Sequence, residues 1–159
     1  MADYHFQTDW SFATTPEAVF AILEAPETWP QWWPGLQRVE KKTPEKSGIG
    51  AVRRYEFLAP FGYTLSFEMT TTELQAPRHV GGTATGDLEG AGRWELSPIP
   101  GGTHVRYLWT VKTNKAWMNL LAPLLRPVFN WNHDRLMEEA GTGLARTLGC
   151  TRLPVALPP

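Results

Sequence analysis

Alternating apolar and polar residues between Leu36 and Thr113 constrain the fold more than any other feature of this chain. Alternation with a period of two is typical of strands that bury one face. The pattern predicts six strands, at 36–43, 50–58, 62–75, 78–87, 91–97 and 103–113. Because the spacers between them are short, we expect hairpins and therefore an antiparallel meander. One face of such a sheet is apolar and needs a cover.

Glycine and proline mark the predicted turns. Pro60 with Gly62, the Glu89-Gly90 pair and the segment 98–102 separate neighbouring strands. Other glycines lie in or beside two of the strands and predict the bulges or bends of a strongly curved sheet. These glycines are Gly81, Gly82, Gly86, Gly90 and Gly92.

A first strand and two short helices precede the meander. Residues 4–12 alternate, and one face carries Tyr4, Phe6, Thr8, Trp10 and Phe12. The segment 14–17, Thr-Thr-Pro-Glu, begins a helix, because threonine caps free N–H groups and proline is tolerated in the first turn. Pro26 ends that helix, and 27–33 predicts a second short one. Since these helices separate the first strand from the second, we expect the first strand to pair with the last.

One long helix follows the meander. We predict that it runs from a cap at Asn114 to a stop at Gly149, with a kink or break at Pro123 and Pro127 and its regular part from about Pro127. At about 100° per residue, one face of the helix collects Phe129, His133, Leu136, Met137, Ala140, Leu144 and Leu148. The sequence therefore predicts one α+β domain over 1–149, in which a curved antiparallel sheet of about seven strands wraps around this helix. Residues 150–159 predict an extended, proline-rich tail.

His133 is the polar residue on that otherwise apolar helix face. A buried polar group without a partner costs about 1–3 kcal/mol. His133 therefore has a fixed protein partner, a water or a ligand, and it is either a bonded core histidine or the polar anchor of a cavity. Gly141 and Gly143 in the same helix each cost up to about 1 kcal/mol relative to alanine. They indicate a close approach to the sheet or room for a ligand.

The inward faces of the strands predict the floor of a cavity under the long helix. The floor is expected from Tyr55, Phe67, Trp94, Tyr107 and Trp109, and the roof from Phe129, Met137 and Ala140, with His133 among them. Arg53 shares the inner face with Tyr55, and it is a second candidate anchor, for a ligand carboxylate. An arginine that reaches solvent from the strand end is the alternative.

Tryptophan is abundant, with 8 Trp beside 4 Tyr and 7 Phe. Such side chains suit both a filled core and a wide apolar cavity. Trp29, Trp32 and Trp33 crowd the second short helix. They predict a rim over the cavity, a plug in the core or a contact patch for a partner protein.

The net charge, the apolar runs and the positions of histidine and cysteine argue against several classes of function. A net charge of -1 without a basic stripe gives no electrostatic footprint for nucleic acid. No apolar run is long enough for a membrane span, and the N-terminus is not typical of a signal peptide, so a cytoplasmic location is expected by default. The scattered histidines and the single Cys150 offer no metal site. We expect neither a metal nor a cofactor.

Several segments together resemble START-like proteins, the helix-grip or SRPBCC superfamily of the polyketide cyclase/dehydrase and lipid-transport type. The resemblance is carried by 14–20 with 26–35, by 92–96 with 101–107, and by 124–137 with 143–148. It covers about residues 4–149. It implies the helix-grip fold and a cavity between the long helix and the sheet. The superfamily has no single catalytic motif that can be carried over.

Three functions agree with these features. The first is binding or transport of a hydrophobic or aromatic small molecule in the internal cavity. The second is a cofactor-free cyclase or dehydratase, in which His133 is the acid or base and Arg53 or Tyr55 polarises a carbonyl. The third is a protein-interaction module of the chaperone-activator kind that uses the surface of Trp29, Trp32 and Trp33.

Overall fold

Seven antiparallel strands form a single sheet in the computed structural model, which describes residues 3–45, 48–59 and 62–155. The strands are β1 (Asp3–Phe12), β2 (Leu36–Lys41), β3 (Val52–Leu58), β4 (Thr64–Gln75), β5 (His79–Gly86), β6 (Leu88–Ile99) and β7 (Gly102–Thr113). Their order across the sheet is β1-β7-β6-β5-β4-β3-β2. The prediction that the first strand pairs with the last is therefore confirmed.

The turn between β5 and β6 differs from the prediction. It lies at Asp87, and Glu89 and Gly90 belong to β6, where they pair with β7. The Asp87 backbone N–H donates to the Ser66 carbonyl at 3.0 Å, and the Asp87 carboxylate accepts from the Ser66 N–H at 3.0 Å. These two hydrogen bonds connect the turn to β4 and fix it at Asp87, before the predicted position at Glu89-Gly90. The turn expected at Pro60 falls outside the described residues.

Two short helical segments follow β1. Helix α1 (Pro16–Leu23) is capped by Thr15, whose side-chain oxygen accepts from the Ala18 N–H at 3.2 Å, as the sequence predicts. The segment Pro26–Gln31 forms a 3-10 helix. Trp29 anchors this helix, because it is only 7% exposed and its indole N–H donates to the Ile22 carbonyl at 3.1 Å.

The C-terminal helical region starts differently from the prediction. A short helix, α2 (Ala116–Leu120), precedes the long helix α3 (Ala122–Leu148). Asn114 is not a helix cap, since its side-chain amide donates to the Gly86 carbonyl at 2.9 Å. Helix α3 continues through Pro127, and only one carbonyl, that of Pro123, loses its helical donor. Both prolines are exposed, so water can reach that carbonyl.

The two mid-helix glycines mark a close approach. A Cβ at Gly143 would collide with the carbonyl oxygen of Trp32, and one at Gly141 would lie 2.8 Å from the Trp10 Nε1. Both residues are buried in α3. Tight packing, rather than room for a ligand, therefore accounts for both glycines.

The residues after α3 lie beside the end of β1. The Ala13 N–H donates to the Thr151 carbonyl at 2.9 Å, and the Leu153 N–H donates to the Ser11 carbonyl at 2.8 Å. Arg152 forms an ion pair with Glu138 of α3 at 2.6 Å. The first part of the predicted tail thus contacts the domain, and residues 156–159 fall outside the described residues.

Candidate functional site

Two cavities lie on the inner side of the sheet. The larger has a volume of about 620 Å³ and lies between strands β3–β7 and the segment that holds α1 and the 3-10 helix. The smaller has a volume of about 130 Å³ and lies between the sheet and α3, with Met118 of α2 in its wall. Both walls include the rings of Trp33, Phe57, Phe67, Tyr107 and Trp109.

The predicted site residues divide between these cavities. Phe129, His133 and Met137 line the small one, Arg53, Tyr55 and Trp94 line the large one, and Phe67, Tyr107 and Trp109 line both. Ala140 lines neither, because it is fully buried in the core at 0% exposure. The structure therefore does not bring His133 together with Arg53 or Tyr55.

The position of the larger cavity differs from the expected one. Among the described residues, none from α3 lines the large cavity, so only the small cavity lies under the long helix. The reason is the close approach at Gly141 and Gly143, which brings α3 against Trp10 and the Trp32 backbone and leaves no open space there. The sheet extends beyond that contact, and α1 with the 3-10 helix covers the remaining space.

Arg53 is the cationic group in the wall of the large cavity. It faces inward with Tyr55, as predicted, and its side chain is only 12% exposed. Its Nε donates to the Glu27 carboxylate at 2.7 Å. Burial alone raises the pKa of Glu27, but the hydrogen bond and charge of Arg53 outweigh it, so the pKa is lowered. The pair is ionised and its charges compensate each other.

Two tyrosines contribute hydroxyls to the large cavity. Burial raises the pKa of Tyr55, an effect that Arg53 reduces and Glu27 increases. Burial also raises the pKa of Tyr107, and Tyr55 adds to that shift. Both phenols are therefore neutral at physiological pH, and each can donate or accept a hydrogen bond.

His133 lies on the inner face of α3, in the wall of the small cavity. Its ring stacks on Phe6 with centroids 3.8 Å apart. Burial lowers its pKa from 6.5 to about 4, and the nearby Asp134 offsets only part of this effect. The Asp134 carboxylate is 82% exposed and 3.8 Å from the histidine Nδ1, too far for a hydrogen bond. His133 is therefore a neutral imidazole.

The three clustered tryptophans are buried. Trp29, Trp32 and Trp33 are 7%, 4% and 4% exposed, and their rings contact one another. Trp29 and Trp33 also form part of the large cavity's wall. They therefore act as core and as cavity wall together, and they do not present an exposed patch to a partner protein.

Asn132 was not among the predicted site residues, but it is 9% exposed and lines the small cavity. Tyr4, on the predicted aromatic-rich face of the first strand, was given no role in the site either, and it lines the same cavity. The signal for Asn132 was its position directly before His133. Since consecutive helical residues lie about 100° apart, a wide buried face can include both.

No group of three or more potential metal-ligating side chains occurs within 3–45, 48–59 and 62–155. No helix in the described part of the chain is both long and apolar enough to cross a membrane.

A curved sheet around a long helix, with two largely apolar cavities on the inner side of the sheet, defines a ligand-binding helix-grip fold. The family model described as "Polyketide cyclase / dehydrase and lipid transport" matches residues 4–149. The chain belongs to this family.

Solved structures share the fold at low sequence identity. The Zhui aromatase/cyclase from Streptomyces sp. R1128 has a TM-score of 0.75 and 14% identity, over 93% of this chain and 94% of that one. TTHA0849 from Thermus thermophilus has a TM-score of 0.74 and 16% identity, over 91% and 99%. Ara h 8.0201 has a TM-score of 0.66 and 16% identity, over 92% and 98%.

A curated relative in Mycobacterium tuberculosis, named as an uncharacterized protein, is 36% identical over 55 residues. The match covers 35% of this chain and 33% of that protein. The chain thus spans about a third of the length of the curated relative that it matches.

Proposed function

We propose that this protein binds a neutral hydrophobic or aromatic small molecule in the large cavity. The observation that carries the proposal is an aromatic-lined space of about 620 Å³ whose buried arginine is already paired with Glu27. Small-molecule sites in proteins commonly have volumes of about 300–1,000 Å³. Membership in a family described by polyketide cyclisation and lipid transport supports a ligand of this class.

The lining favours apolar and aromatic ligands. Rings from Trp29, Tyr55, Trp94, Tyr107 and Trp109 surround the space. Burying ligand surface against them releases about 25 cal/mol per Å² of apolar area. The hydroxyls of Tyr55 and Tyr107 can orient a ligand oxygen by hydrogen bonds. One structural neighbour, Zhui, is an aromatase/cyclase by name, which agrees with an aromatic or ring-forming ligand.

The charge of the cavity favours a neutral ligand. An anion near Arg53 also meets the carboxylate of Glu27, whose Oε1 lies 2.7 Å from the arginine Nε. Transferring an uncompensated charge from water into an apolar site is costly. The earlier expectation that Arg53 anchors a ligand carboxylate is therefore not part of this proposal.

Nile red, a neutral dye that fluoresces in apolar surroundings, tests the proposal. Val80 lies on β5 in the wall of the large cavity, so Val80→Trp should fill part of the space and weaken dye binding at least tenfold. Thr83→Trp is the matched control, because Thr83 is on the same strand and exposed. No saturable dye binding by the wild type, or equal binding by both variants, would refute the proposal.

A further inference from the structure

The small cavity contains an unusual set of polar atoms. The Tyr4 hydroxyl, the Trp33 Nε1 and the His133 Nδ1 are buried, and none forms a hydrogen bond with any described protein group. Tyr4 is 5% and Trp33 4% exposed, and the His133 side chain is 16% exposed. All three residues line the small cavity, and Trp33 lines the large cavity as well. Buried polar atoms are normally hydrogen-bonded. Three such atoms on residues that line one cavity point to a hydrogen-bonding ligand.

We infer that the small cavity is a separate binding compartment for a single neutral ring that carries a hydroxyl or carbonyl oxygen. This inference goes beyond the proposed function, which concerns the large cavity. The ligand class follows from the volume, the charge and the hydrogen-bonding capacity of the lining.

The volume allows one ring. The small cavity measures about 130 Å³. An engineered apolar cavity of about 150 Å³ takes up benzene. Phe6, Phe129 and Met137 supply apolar contacts in the wall. A single six-membered ring is therefore close to the largest ligand that this space can hold, and a fused-ring ligand exceeds it.

The polar atoms define the substituent. The Trp33 indole can only donate a hydrogen bond, so the ligand must offer an acceptor. The Tyr4 hydroxyl can donate or accept, and the neutral imidazole of His133 has one donor and one acceptor nitrogen. A hydroxyl or carbonyl oxygen on the ligand can accept a hydrogen bond from the indole N–H. A hydroxyl can in addition donate a hydrogen bond to Tyr4 or His133. Hydrocarbon rings leave all three atoms without a partner.

The charge of the lining excludes ions. No Asp, Glu, Lys or Arg occurs among the described residues that line the small cavity. Burial keeps His133 neutral by lowering its pKa, and it raises the pKa of Tyr4, an effect that the nearby Arg126 reduces. An ionised ligand would lose its hydration without a counter-charge. A phenol in its neutral form satisfies these conditions.

Phenol and toluene are matched probes, because both are single rings and only phenol carries oxygen. Binding is measured by two-dimensional NMR, in which the indole N–H of Trp33 is assigned from the Trp33→Phe spectrum. We expect saturable phenol binding that shifts this signal, with phenol bound at least as tightly as toluene. Tighter binding of toluene, or no shift of the Trp33 indole signal, would overturn the inference.

Three variants separate hydrogen bonding from packing. Tyr4→Phe and His133→Leu should each weaken phenol binding about two- to tenfold and leave toluene binding unchanged or stronger. Tyr63→Phe is the matched control, because Tyr63 lines neither cavity among the described residues. An equal loss of phenol affinity in Tyr63→Phe, or none in the other two variants, contradicts the inference.

The Val80→Trp variant distinguishes this inference from the proposed function. It fills part of the large cavity and should leave phenol binding intact, since Val80 lines only the large cavity. Loss of phenol binding in Val80→Trp would move the phenol site to the large cavity and overturn the inference. Phenol binding without Nile red binding would refute the proposed function alone.

Discussion

The buried histidine makes the stability of the protein depend on pH in a defined window. The pKa of His133 is 6.5 in an unfolded chain and about 4 in the folded protein. Between these two values the unfolded state binds more protons than the folded state. The free energy of unfolding therefore falls as the pH drops from 6.5 towards 4. The loss is about 2 kcal/mol at pH 5 and about 3 kcal/mol below pH 4.

The assay is urea unfolding of the wild type and of His133→Leu between pH 7.5 and pH 5. Other groups titrate in this range, so the measured quantity is the difference in unfolding free energy between the two proteins. We expect that difference to change by about 2 kcal/mol in favour of the leucine variant as the pH falls to 5. The physical reason is burial of the ring, which stacks on Phe6 and whose Nδ1 has no hydrogen-bond partner in the described part of the chain.

A constant difference between wild type and His133→Leu across this range would refute the assignment of a buried neutral imidazole. A difference of opposite sign would mean that a hydrogen-bond acceptor raises the pKa of the folded-state histidine. Asp134 is the nearby carboxylate, and its side chain is 82% exposed. Asp134→Asn should therefore lower the pKa of His133 only slightly further, which NMR titration of the imidazole can measure.

Three further predictions follow from close contacts. Gly143→Ala should destabilise the protein by about 1–3 kcal/mol, because the new methyl group would collide with the Trp32 carbonyl. In an unobstructed helix the same change stabilises by up to about 1 kcal/mol, so stabilisation in urea unfolding would contradict the close contact. Glu27→Gln removes the negative charge beside Arg53 and should strengthen binding of naphthoate, an anionic ring, at least tenfold relative to Nile red. If competition titrations give the same ratio of naphthoate to Nile red affinity in the variant and the wild type, the Arg53–Glu27 pair does not set the preference for neutral ligands. Thr15→Ala should cost about 1 kcal/mol in thermal unfolding through loss of the α1 cap.

Local patterns in the sequence predicted the elements of the fold well. Alternation identified all seven strands, because each strand of this sheet has one apolar inner face. The cap at Thr15 was also correct, since a helix cap depends on residues within one turn. The turn at Asp87 was missed, because its hydrogen bonds reach Ser66, 21 residues earlier in the chain.

The shape of the site could not be predicted in the same way. Periodicity placed Tyr55, Phe67 and Trp109 on the inner face correctly, but it carries no information on how far a helix lies from the sheet. That distance depends on the contact between Gly143 and the Trp32 backbone, which joins two distant segments. The mid-helix glycines signalled a close approach, but they did not show that this contact would leave two cavities.

The separation of the cavities argues against the particular catalytic arrangement that the sequence suggested. The enzyme hypothesis required His133 as acid or base with Arg53 or Tyr55 polarising the same substrate, and these residues line different cavities. An imidazole with a pKa of about 4 is also a weak base at neutral pH. Any chemistry in the large cavity must therefore use the groups that line it, above all Tyr55, Tyr107 and Arg53, whose partner is Glu27. If turnover of a ring-forming substrate is found, His133→Leu should leave it intact, and Tyr55→Phe should reduce it.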